Sequence, residues 1–70
     1  HTPRGFLVRV LKAEFGLGEG RACGVMLAAH RLGSCVVAVF TKEVAEEKAT
    51  RATEMARREG HPLAFAAEPE

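Results

Sequence analysis

Met26 and His30 are the two side chains whose types and spacing offer the clearest chemistry in this sequence. They lie four residues apart, so a helix would place both on one face. An uncharged imidazole nitrogen can accept a hydrogen bond from a cation, and a flexible thioether can line an apolar cavity. On the residues alone, His30 has three open interpretations: a favourable charge at a helix C-terminus, a recognition group, or a metal or catalytic group. Met26 is by default core packing, with a pocket wall as the alternative.

The other reactive residue types do not form a catalytic or metal-binding pattern. Cys23 and Cys35 lack the spacing of a metal knuckle or a redox pair, and their apolar neighbours predict two buried, unpaired thiols. The glycine-rich run at residues 16–20 lacks the preceding strand of a phosphate loop. The remaining histidines are not spaced as partners of His30. We therefore expect a binding protein that needs no metal or cofactor, and not an enzyme.

Composition and charge exclude further classes of partner. Ten Lys and Arg residues stand against nine Asp and Glu residues, which argues against the concentrated basic face of a nucleic-acid-binding protein. No apolar run approaches the roughly 18 residues of a membrane-spanning helix, and no signal peptide is visible. A chain of 70 residues makes one domain at most, over residues 1–70, with a marginal core. We expect a cytoplasmic protein with neither nucleic acid nor membrane as a partner.

Capping signals and apolar periodicity predict the three helices that position these side chains. They lie near residues 3–15, 19–31 and 42–58. Thr2 is placed to cap the first helix, and Thr41 to cap the third. Gly33 is placed to end the second helix in the left-handed conformation, and Gly60 is placed to end the third. The second helix would carry both Met26 and His30. The mixed charges of the third helix predict a solvent-exposed face.

Two segments have the composition of β-strands. Residues 34–41 are almost continuously apolar and predict a strand buried on both faces, and a second strand is predicted near 62–67. A strand, a covering helix and another strand form a crossover in which the two strands run parallel. Because two strands alone make a poor sheet, a third strand between them would be needed to complete a split β-α-β arrangement.

Three short segments carry a more specific pattern. They are MLxxH ending at His30, FTxEVAExK from Phe40 to Lys48, and HPL ending at Leu63. This combination resembles the ClpS adaptor family. Arg4 and the AHRLGS and EPE segments resemble the second ClpS paralogue of alphaproteobacteria. The resemblance implies an α+β fold in which a three-stranded antiparallel sheet packs on three helices. Its first strand and an Asn-Asp-Asp loop would precede Thr2, and neither is in this sequence.

The resemblance also implies a function and a set of site residues. ClpS adaptors bind the N-terminal residue of N-end-rule (N-degron) substrates and deliver them to the ClpA unfoldase of the ClpAP protease. We therefore expect ligands that begin with Phe, Leu, Tyr or Trp. The positions that match the N-degron pocket and its rim are Thr2, Arg4, Leu7, Met26, Ala29, His30 and Leu63. Among them, His30 matches the histidine that helps hold the α-amino group, and Arg4 stands where many members have methionine.

The third helix supplies the partner surface that the resemblance implies. Glu43 and Lys48 match positions that contact the N-terminal domain of the unfoldase. We expect both side chains to be exposed on one side of the helix.

Two other hypotheses remain open. The chain could be a protein-interaction domain without an amino-acid pocket, similar to the C-terminal domain of the ribosomal stalk protein. A small enzyme or metal protein built on His30 is the third hypothesis. Binding of a peptide with a free N-terminus, compared with its acetylated twin, would separate the three.

Overall fold

Three α-helices form the framework of the protein. The computed structural model describes residues 2–69. The helices are α1 (Arg4–Ala13), α2 (Glu19–Leu32) and α3 (Lys42–Arg58). Each agrees with its predicted range to within two residues at either end, so the helical part of the prediction is confirmed. The described residues divide into two compact units, Pro3–Ala38 and residues 39–69 together with Thr2.

Helices α1 and α2 pack against each other within the first unit. The residues of α1 that are buried recur at helical spacing and are Phe6, Leu7, Val10 and Leu11. On α2 the buried residues are Ala22 and Met26. The small alanine lets the two backbones approach, and Val10 and Leu11 are completely removed from solvent. These side chains form the apolar core of the unit.

The connection between α1 and α2 is closed by a glycine and an ion pair. Gly16 has a φ of 69°, which a residue with a side chain rarely adopts. Lys12 Nζ lies 2.5 Å from Glu19 Oε1, joining the last turn of α1 to the first turn of α2. This hydrogen bond raises the pKa of Lys12 and lowers the pKa of Glu19. Both groups are solvent-exposed, so the pair orients the turn more than it stabilises the fold.

Helix α3 begins and ends where the local signals predicted. Thr41 occupies the N-cap position, although its side chain makes no capping hydrogen bond. At the other end, Gly60 has a φ of 75°. Its N–H donates to Arg57 O at 3.1 Å, and the N–H of His61 donates to Ala56 O at 2.9 Å, the paired bonds of a Schellman motif. The buried stripe of α3 consists of Ala49, Ala52 and Ala56.

The predicted sheet is absent from the described part of the chain. No residue between 2 and 69 is in a β-strand, so the three-stranded antiparallel sheet and its strands near 34–41 and 62–67 were wrong. Extended backbone becomes a strand only when its N–H and C=O groups bond to a neighbouring strand. The sequence offers two strand candidates and lacks the third that was expected to lie between them. The apolar composition of the two segments was therefore not sufficient to form a hydrogen-bonded β-ladder.

Without a sheet, the apolar segment after α2 lies at the surface. Val36 is 79% exposed and Val39 is 65% exposed. Cys35 is exposed and Cys23 is half-buried, and both are free thiols. The prediction that both cysteines are buried is therefore wrong, because the burial of Cys35 depended on the sheet. Within residues 2–69, no helix has both the length and the apolar character needed to cross a bilayer.

Candidate functional site

Five of the seven predicted pocket residues lie on α1 and α2. Arg4 is the first residue of α1 and is exposed, whereas Leu7, one turn later on the same face, is buried. On α2, Met26 is only 8% exposed, Ala29 is half-buried, and His30 is exposed. The face of α2 thus runs within one turn from a buried thioether to an accessible imidazole. Apolar side chains below an accessible polar group are the arrangement that a site for an amphipathic ligand needs.

The other two predicted pocket residues, Thr2 and Leu63, belong to the second unit. Thr2 is half-buried and does not cap α1, because Pro3 takes the N-cap position. Leu63 is half-buried in the segment that follows α3. With His61 and Pro62 it lines an open cleft of about 490 Å³. Each of the two units therefore carries part of the predicted residue set.

The chemistry that these residues can perform is recognition. An exposed imidazole can offer a nitrogen lone pair to an ammonium group. Leu7 and Met26 can only contribute apolar contact, and Met26 can change shape to suit a ligand. Among residues 2–69, no three His, Cys, Asp or Glu side chains lie together in a set that could hold a metal ion.

The predicted partner surface on α3 is only partly as expected. Glu43 is exposed, but Lys48 is half-buried, so the prediction that both are exposed is wrong for Lys48. Residues five apart on an α-helix point about 140° away from each other, so these two side chains do not share one side. Lys48 Nζ instead lies 5.3 Å from the centroid of the Phe40 ring. Sequence reasoning used Phe40 only as the first residue of the FTxEVAExK segment and gave it no structural role, although an aromatic residue directly before an N-cap is a recognisable signal.

Four other charged residues of α3 form two exposed pairs along the helix. Arg51 lies 3.4 Å from Glu47, and Arg58 lies 3.8 Å from Glu54. Both pairs have the i, i+4 spacing, and all four side chains are about half exposed or more. The predicted solvated face is confirmed, and such pairs contribute little to stability.

A second feature that sequence reasoning missed is the attachment of Phe65 to α3. The N–H of Phe65 donates to Thr53 Oγ1 at 2.8 Å. The same hydroxyl donates back to Phe65 O at 3.3 Å. Thr53 and Phe65 also line an open cleft of about 360 Å³. A side chain of α3 therefore satisfies the main-chain groups that a strand at this position would have offered to a neighbour.

Replacing Thr53 with valine should release this segment from α3. Valine keeps the shape but leaves the N–H and C=O of Phe65 without the Thr53 hydroxyl, so the free energy of unfolding should fall by about 1–3 kcal/mol. The Phe65 amide should also exchange with solvent faster in hydrogen-exchange NMR. Thr50→Val is the matched control, because the Thr50 hydroxyl donates to Glu46 O within its own helix at 2.9 Å. Equal effects of the two substitutions on Phe65 exchange would contradict this role of Thr53.

Comparison with known proteins gives consistent matches over nearly the whole chain. Residues 1–66 match the family model described as ATP-dependent Clp protease adaptor protein ClpS. The chain is 59% identical over 70 residues to the ATP-dependent Clp protease adapter protein ClpS 1 of Bradyrhizobium diazoefficiens, covering 100% of this chain and 69% of that protein. It is 61% identical over 69 residues to ClpS 2 of Mesorhizobium japonicum, covering 99% and 68%.

A solved structure matches the fold as well. The structure of Agrobacterium tumefaciens ClpS2 bound to L-phenylalaninamide superposes with a TM-score of 0.93 at 48% sequence identity. The match covers 99% of this chain and 83% of that one.

Proposed function

Because this chain belongs to the ClpS family of adaptor proteins of the ATP-dependent Clp protease, we propose that it binds the N-terminal residue of N-degron substrates. It then delivers them to the ClpA unfoldase of the ClpAP protease. The observation that carries the proposal is the similarity to a ClpS2 protein bound to L-phenylalaninamide. That ligand has the free α-amino group and the aromatic side chain of an N-terminal phenylalanine. In this proposal the chain acts in the cytoplasm and catalyses no reaction itself.

Within this function we assign the ligand's α-amino group to His30. His30 is exposed near the end of α2, where a ligand can reach it. The ligand's apolar side chain is assigned to Leu7, Met26 and Ala29, which are buried or half-buried on the packed helices α1 and α2. Arg4, at the start of α1, is assigned to the rim of that site. The match to the family alone assigns Thr2 and Leu63 to contact with the ligand. Glu43 and Lys48 are assigned to contact with the N-terminal domain of the unfoldase.

The proposal is tested by peptide binding to the full-length protein, measured by fluorescence anisotropy. A peptide that begins with Phe, Leu, Tyr or Trp should bind, and acetylation of its N-terminus should abolish most of the affinity. The reason is that acetylation removes the ammonium group that the site must hold. Equal affinity for the free and acetylated peptides would replace this proposal with a protein-interaction domain that has no amino-acid pocket.

Met26→Ala is expected to widen the range of ligands. Met26 fills space that a β-branched N-terminal side chain needs close to its backbone, so the variant should bind Ile- and Val-starting peptides that the wild-type protein rejects. Met55→Ala on α3 is the matched control. Met55 is the second of the two methionines in the sequence, and it lies outside the assigned pocket. The same peptide titrations give the measurement. If Met26→Ala loses affinity for all peptides without admitting Ile or Val, Met26 is core packing alone.

A further inference from the structure

Phe40 and Lys48 form a contact that crosses the beginning of α3. Phe40 lies directly before the N-cap Thr41, and Lys48 lies in the second turn of the helix. The ammonium of Lys48 is 5.3 Å from the ring centroid of Phe40. Both residues are half-buried. An aromatic face at this distance attracts a cation through its quadrupole.

The direction of the lysine side chain explains how residues so far apart in sequence meet. Side chains on a helix lean towards its N-terminus. This lean carries the half-buried Lys48 side chain back towards the start of α3, and its ammonium lies 5.3 Å from the ring centroid. A lysine on an exposed helix face normally samples many rotamers, and ordering it on contact with a partner costs free energy. An aromatic ring that already holds the ammonium before the partner binds would reduce that cost.

We propose that Phe40 is a positioning residue for the adaptor's contact with the unfoldase and acts by holding the ammonium of Lys48 in place. The inference rests on the proposed function, in which Lys48 contacts the N-terminal domain of the unfoldase. Phe40 itself need not touch the partner. The group that Lys48 meets there is a hydrogen-bond acceptor, most favourably a carboxylate, because an ammonium only donates.

A double-mutant cycle on the full-length protein tests this role, with binding to the isolated N-terminal domain of ClpA as the measurement. Phe40→Leu should weaken binding by about two- to fivefold, the lower range for one cation–π contact. Phe40→Tyr keeps an aromatic face and should bind as the wild type does. In a Lys48→Met background, Phe40→Leu should cause no further loss. An equal loss in both backgrounds, or a loss with Phe40→Tyr as large as with Phe40→Leu, would overturn the inference.

Two controls separate failure of this inference from failure of the proposed function. Arg9→Met removes the cation of another pair, in which Arg9 Cζ lies 5.3 Å from the Phe6 centroid, and should leave unfoldase binding unchanged. N-degron peptide binding should be unaffected by both Phe40 substitutions, which shows that the variants are folded. If Lys48→Met binds the unfoldase as tightly as the wild type, Lys48 is not a contact, and the assigned partner surface fails together with this inference.

Discussion

Replacing Leu11 with alanine should lower the free energy of unfolding by about 2–5 kcal/mol, the cost of a cavity at a fully buried leucine. Leu11 is 0% exposed on the face of α1 that packs in the first unit. A 70-residue chain has a marginal core, so a loss of this size is a large share of its total stability. Urea or guanidinium denaturation followed by circular dichroism gives the measurement.

Leu32→Ala is the control for this experiment. It makes the same chemical change on the neighbouring helix, but Leu32 is 78% exposed. Surface substitutions of this kind usually change stability by less than about 0.5 kcal/mol. If the two variants lost equal stability, the core would not lie between α1 and α2, and the geometry proposed for Leu7 and Met26 would fall with it.

His30→Ala should weaken every N-degron ligand by about 1–3 kcal/mol, or roughly five- to 150-fold in affinity. The loss has this size because the histidine is assigned a hydrogen bond to a charged ammonium, which is worth more than a neutral bond. His30 is exposed, so its removal leaves no cavity in the core and the fold should remain intact. Anisotropy titrations with Phe-, Leu- and Tyr-starting peptides give the measurement.

Two controls test whether the loss in His30→Ala comes from contact with the amino group: a substitution of the adjacent residue and a peptide with an acetylated N-terminus. Arg31→Ala alters an exposed neighbour on another face of α2 and should leave affinity within about twofold of the wild type. The residual binding of an acetylated peptide should be the same for wild type and His30→Ala, because the proposed bond is absent in both. A uniform loss for free and acetylated peptides would show that His30 supports the site without touching the amino group.

The sequence by itself determined the helices and the family. Thr41, Gly33 and Gly60 are local stop and start signals that need no distant partner, so they predicted the helix ends closely. The buried residues of α1, Phe6, Leu7, Val10 and Leu11, recur at the helical spacing from which that helix was predicted. Phe15, which belongs to the same apolar pattern, lies beyond the end of α1 and is half-buried. The three segments ending at His30, Lys48 and Leu63 are specific enough in combination to identify a ClpS protein. Helix ends and family motifs both depend on residues that are close together in the sequence, so they can be predicted without the tertiary structure.

Only the tertiary structure decided the features that depend on a second surface. Residues 34–41 have strand composition, but a strand exists only with a hydrogen-bonded neighbour, and none is present among residues 2–69. Because no neighbouring strand is present there, Cys35 is exposed and the main-chain groups of Phe65 bond to Thr53 instead. Periodicity placed Lys48 on an exposed face, yet its ammonium lies over Phe40. Such contacts join residues of no fixed spacing, because they are selected by packing and charge in three dimensions and not by the period of a helix.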